Sequence, residues 1–135
     1  MPHTPDGPRG LTNEIIRLSE LIQENPRDAR HRFDRANCHR RNGSHDLAIL
    51  DYNLALALDP SFPEAYFYKA VCCAKLGYTL EEITAYEQFL VYAGESLAVY
   101  FEPIKRRIRE LRSRRQNYKQ VKSFRQRNWR SGARR

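Results

Sequence analysis

The 135-residue chain carries 24 Lys or Arg against 16 Asp or Glu, a formal net charge of +8 at pH 7, and 41% of its residues are hydrophobic. That is enough apolar material for one domain, or a short array of repeats, to bury a core without disulfide support. The longest apolar run is far shorter than the ~18–20 residues a membrane helix needs, and Cys38, Cys72 and Cys73 form neither a C-x-x-C pair nor an even framework, which suits a reducing compartment.

In chain order, residues 1–10, "MPHTPDGPRG", are rich in Pro and Gly and lack the apolar run of a signal peptide, so they read as a flexible N-terminus of a cytoplasmic protein. Residues 11–26, "LTNEIIRLSELIQENP", have the apolar spacing of a helix and end on Asn-Pro. The stretch 47–58, "LAILDYNLALAL", is ambiguous at first sight. Its large apolar residues alternate as in a strand, yet it is too long for a typical strand, and Ala48, Ala55 and Ala57 favour a helix. Drawn as a helix it is apolar nearly all round, interrupted by Asp51 and Asn53, which predicts burial on two sides.

An internal repeat supplies its partners. Sliding the sequence by 34 residues brings Ala36 onto Ala70, Cys38 onto Cys72, Gly43 onto Gly77, Ile49 onto Ile83, Tyr52 onto Tyr86 and Leu56 onto Leu90. Phe33 falls on Phe67 and, one period later, on Phe101. Within each unit an apolar-spaced segment runs to Gly43 or Gly77 and a second begins shortly after, the punctuation of helix–turn–helix pairs.

On these residues, and on Ala48, Ala55, Tyr66 and the "LDP" at 58–60, the chain resembles the tetratricopeptide repeat family over roughly 11–110. The resemblance implies an all-α fold, a short right-handed solenoid of about two and a half repeats with a C-terminal capping helix and a basic tail. It divides the chain into a half repeat at 11–26, a repeat at 29–62, a repeat-like unit at 63–96, a capping helix at 97–117 and a tail at 118–135. In the second unit Glu82 stands where Ala48 stands in the first, and Phe89 where Ala55 does, so a one-residue register shift around 78–83 is one reading of that unit. In the capping stretch Ile104, Ile108 and Leu111 are expected to pack inward, and Pro103 predicts a kink or a late helix start.

The resemblance also implies that first helices line a concave groove holding an extended peptide or a partner helix. Its groove-facing positions fall on Arg30, Phe33, Asn37, Arg40 and Arg41 in the first unit and on Glu64, Phe67, Val71 and Lys75 in the second, with Phe101 continuing the line. Two readings of the three Phe stand side by side: anchors for a ligand, or covers for the seams between helices. The charged clamp by which some family members hold a chaperone C-terminus is met only at Asn37; its other positions fall on Phe33, Tyr68, Ala98 and Glu102, which disfavours that ligand.

No catalytic constellation is present. Cys38, His39, His31 and His45 lack the spacing of a metal-ligand set, no Gly-rich phosphate loop occurs, and neither metal nor cofactor is expected. The charge is uneven: residues 105–135 hold fourteen Lys or Arg and one acid, Glu110, whereas residues 1–104 hold ten Lys or Arg and fifteen acids. Lys105, Arg106, Arg107, Arg109, Arg112, Arg114 and Arg115 lead into a tail where basic residues interleave with Tyr118, Phe124 and Trp129. Such a segment suits RNA or DNA, and also an anionic surface or acidic protein. The first expectation is therefore a non-enzymatic protein–protein interaction module that binds a peptide or helix with an acidic flank, with no small-molecule substrate. The alternative is a nucleic-acid- or ribosome-associated factor acting through its basic tail. Self-association through helix 11–24 is a third reading.

Overall fold

The computed structural model describes residues 8–132, and the rest of the N-terminal segment and the last three residues lie outside the described residues. Six α-helices follow one another: α1 Pro8–Glu24, α2 Ala29–Arg41, α3 His45–Leu58, α4 Pro63–Leu76, α5 Thr79–Tyr92 and α6 Phe101–Gly132, with a short 3₁₀ segment, Glu95–Tyr100, before the last. No strand occurs among the described residues. The chain divides into two compact units, one ending at Glu95 and the other beginning at Ser96.

The first unit is built of helical hairpins. Each helix packs on the one before it and the one after it in the chain, from α1 to α5. The 34-residue period survives in three dimensions: α2 and α4 begin 34 residues apart, at Ala29 and Pro63, and α3 and α5 begin at His45 and Thr79 and end at Leu58 and Tyr92. There is thus no register slip around 78–83. Glu82 occupies the position of Ala48 and is 2% exposed; Phe89 occupies that of Ala55 and is 1% exposed.

Local chemistry sets the helix ends. The Asp28 side chain accepts from the Arg30 N–H at 2.9 Å and caps α2. Pro63 starts α4, where its missing N–H costs nothing. At both hairpin turns the same closure recurs. Ser44 N–H reaches His39 O at 2.9 Å and Gly43 N–H reaches Arg40 O at 3.1 Å; Tyr78 reaches Cys73 O at 2.9 Å and Gly77 reaches Ala74 O at 3.2 Å. This pattern of nested bonds satisfies the last helix carbonyls and demands a left-handed residue, supplied by Gly43 (φ 78°) and Gly77 (φ 74°).

The core is made by small residues that let helices approach and by a few large rings. Ala36, Ala48, Ala55 and Ala65 are sealed from solvent and share one cluster with Phe33, Tyr52 and Cys72. Leu11, Leu18 and Cys38 form a second cluster between α1 and α2. The expectation for α3 is half corrected. It lies between α2 and α4 and buries Ala48, Asp51, Tyr52 and Ala55, but Leu47, Leu50, Leu54 and Leu58 stay 38–56% exposed on its outer face. Neighbouring helices contact the small-residue side because close backbone approach, rather than side-chain size, decides which face seats best.

In the second unit, the helix starts late, at Phe101, with Pro103 in its first turn where no intrahelical N–H is needed. Ile104, Ile108 and Leu111 are buried, spaced as one helix face. The division into a capping helix ending at 117 and a separate tail gives way here, since α6 runs unbroken through Gly132. No proline and no internal glycine follows Pro103 before Gly132, so nothing in the local sequence interrupts the helix.

An added Cβ at Gly43 or Gly77 meets nothing within 4 Å, so substitution is penalised by backbone conformation alone. Gly43→Ala and Gly77→Ala should each lower stability by about 1–2 kcal/mol. Urea denaturation should show the two losses adding in the double variant.

Candidate functional site

Within the first unit, α2 and α4 touch each other, whereas α1, α3 and α5 make no such mutual contacts. The first helices of the two hairpins therefore lie on the tighter, inner side of the stack. The residues expected to face a ligand there are placed unequally. Arg30, Arg41, Glu64 and Lys75 are exposed, and Asn37, Arg40, Phe67 and Val71 are half-buried.

Phe33 departs from its expected role. It is only 6% exposed and sits within a ring cluster, 4.7 Å from Phe62, 5.9 Å from Tyr52 and 6.1 Å from Tyr68, centroid to centroid. It covers the seam between hairpins and is a wall component, not a free anchor. Phe67 leans on Tyr68, Tyr86 and Phe89 at 5.3, 6.1 and 5.6 Å and keeps part of its surface open. Phe101 opens α6 in the second unit.

Two arginines are held on this aromatic wall. The Arg40 guanidinium lies 4.5 Å from the Tyr68 ring centre, and its Nε donates to the Tyr52 hydroxyl at 3.3 Å. Tyr52 Oη in turn donates to Asn37 Oδ1, and burial drives its phenol above the ordinary tyrosine range, so it stays a neutral donor. Arg30 lies 5.4 Å from the Phe33 ring centre and 5.7 Å from that of Phe62. Attraction between a cation and a ring face contributes about 0.5–2 kcal/mol and, more usefully, fixes where the charge stands. Phe62 was not among the residues expected from the sequence, and Tyr68 entered there only as a clamp position that it does not suit. Their aromaticity next to Phe33 and Phe67 was visible, but their convergence depends on how α4 packs on α2.

Behind this wall lies a buried polar network, also unforeseen. Asp51, 3% exposed, receives two bonds from Arg35, Nε to Oδ2 and Nη2 to Oδ1, both at 2.7 Å. Arg35 Nη1 also donates to Ser19 Oγ at 3.2 Å, and His39 Nε2 stands 3.6 Å from Asp51 Oδ2. The network joins α1, α2 and α3. Asp51, within the apolar run of α3, was its one sequence signal, since such a group is buried only with a partner.

The thiols are core groups. Cys38 packs with Leu11 and Leu18, and Cys72 with Phe33 and Tyr52. Burial pushes the Cys72 thiol up to about 11 and raises Cys38 and Cys73 as well, which keeps all three protonated near neutrality. His31 pairs with Asp28, Nε2 to Oδ2 at 3.3 Å, and no three His, Cys, Asp or Glu side chains among the described residues are grouped as metal ligands.

A family profile described as tetratricopeptide repeat matches residues 17–61. The rice (Oryza sativa subsp. japonica) protein named Protein SGT1 homolog is 36% identical over 58 residues, which are 43% of this chain and 16% of that protein. Among solved structures, the TPR2AB domain of yeast Sti1 in complex with pHSP90 superposes with a TM-score of 0.67 at 23% identity, over 76% of this chain and 40% of that one. The Yersinia enterocolitica type III secretion chaperone SycD, in complex with a peptide of the translocator YopD, superposes with a TM-score of 0.71 at 17% identity, over 78% and 82% of the two chains. The chain thus spans about a sixth of the length of the rice protein and two fifths of the Sti1 chain, and the structural likenesses show the shared fold.

Two measurements probe the network. Asp51→Ala, which takes both carboxylate bonds from the half-buried Arg35, should lower the unfolding free energy measured in urea by about 2–3 kcal/mol, whereas Arg35→Met/Asp51→Leu together should recover most of that loss. Burial, only partly opposed by Asp51, holds the His39 imidazole below its ordinary 6.5, with Arg35 adding to the depression. The folded state therefore binds fewer protons than the unfolded chain below that value, and stability should fall as pH drops from 7 to 5. His39→Gln should flatten that part of the stability–pH curve.

Proposed function

We propose that the chain, whose residues 17–61 match a tetratricopeptide repeat profile, is a non-enzymatic interaction module whose α2–α4 face holds a peptide or helix of a partner protein with an acidic flank. The observation that carries this reading is the pair Arg30 and Arg40, each seated on aromatic rings at the inner wall. A cation fixed in this way has lost its side-chain freedom before the ligand arrives, so less order must be imposed on binding. Arg41 adds charge beside Arg40 in the last turn of α2, and Phe67 and Val71 supply half-open apolar surface on α4. Electrostatics then chooses the partner and speeds encounter, while the apolar strip and backbone contacts hold it.

The burial of Phe33 changes what the ligand meets. The ring supports the wall from behind, and the contact surface consists of Arg30, Asn37, Arg40, Arg41, Phe67, Val71 and Lys75, with Glu64 setting a negative boundary. Two solved structures of the same fold support a partner protein or peptide as the ligand class, since one is a complex with pHSP90 and the other a complex with a peptide of the translocator YopD.

The test is affinity capture with the full chain beside Arg40→Glu and Arg41→Glu variants, with helix content checked by circular dichroism. Captured partners should be lost from both variants, and association with an isolated partner peptide should slow about tenfold or more. Recovery of the same partners by all three proteins would overturn the reading. Phe33→Ala is not a suitable probe, because it would open the core.

A further inference from the structure

We propose that the C-terminal half of α6 is a binding surface for single-stranded nucleic acid, independent of the peptide-binding reading. The helix extends through Gly132, so residues 112–132 form a rod of about 30 Å. After Glu110 the sequence contains no further acid. Arg114, Lys119, Lys122, Arg125 and Arg130 are all exposed along it.

Between these charges stand side chains that a soluble helix has no structural need to display. Tyr118 is 69% exposed, Val121 51%, Phe124 58% and Trp129 76%. At 3.6 residues per turn the four lie on one arc of about 140°, and Arg114, Arg125 and Asn128 fall within the same arc. That interleaving decides between candidate partners. A helix lying in a bilayer interface needs an apolar face free of charge, and here two arginines interrupt it. An acidic protein surface would satisfy the charges but leave the exposed rings without a matched partner. An unpaired nucleic-acid strand presents both elements at short repeat, phosphates for the cations and base faces for the rings.

Trp129 is the only tryptophan of the chain and sits on this arc, so its emission reports the event directly. With the full chain, a short oligouridylate should quench Trp129 emission, and a fourfold rise in salt should weaken binding by about tenfold or more. Phe124→Ala and Trp129→Ala, followed by anisotropy of a labelled oligouridylate, should each lower affinity by roughly fivefold to a hundredfold with helix content unchanged. Both rings are exposed, so neither change removes core packing. Unchanged affinity in both variants would overturn the proposal. So would equal or tighter binding of the wild-type chain to phosphatidylserine vesicles or to polyglutamate.

Discussion

A single helical hairpin of this chain has more apolar surface than it can cover, and everything else in the first unit follows from that. Ala36, Ala48, Ala55 and Ala65 are fully buried because two helices must come close enough for each hairpin to seal the next. Close approach at alanines draws the larger rings of Phe33 and Tyr52 into the same seam, and Gly43 and Gly77 make the turns tight enough to keep the helices paired. Exposed leucines on the outside of α3 are the complement of this arrangement. That face carries bulk that would hold a neighbour away.

Sealing a seam with aromatic rings has a second effect. Ring faces and edges at the border of the core offer seats for cations, and Arg30 and Arg40 occupy them. Core packing and presentation of charge are thus a single construction, running from Phe33 and Tyr52 inside to the guanidinium groups outside. The Asp51–Arg35 pair works differently. Its two short bonds sit behind the wall and tie α3 to α2, with Ser19 drawing in α1, so three helices share one charged joint. A buried pair of this kind adds little net stability over an apolar pair but penalises any packing that separates the partners.

The second unit follows other rules. Its buried stripe ends at Leu111, and beyond that point α6 is helical while exposing rings and cations together. Residues such as Arg, Lys and Gln have good helix propensity, so the segment needs no core to favour helix locally. Helical order there arrays the cations along a rod, a geometry that a disordered tail of equal charge lacks.

The sequence by itself determined the helical hairpins, their 34-residue period and their turns, because these rest on local signals: helix-forming alanines, chain-stopping glycines and prolines, and an apolar spacing that repeats. It also determined that the charge is concentrated at one end. Only the tertiary structure decided that Phe33 is wall and not anchor, that Asp51 finds Arg35, that Glu82 is buried at an alanine position, and that Phe62 and Tyr68 join the candidate site. The physical reason is the same in each case. A side chain's burial and partners depend on which face of its helix meets a neighbour, and that is set by the summed fit of all the helices, with contacts that local spacing does not encode.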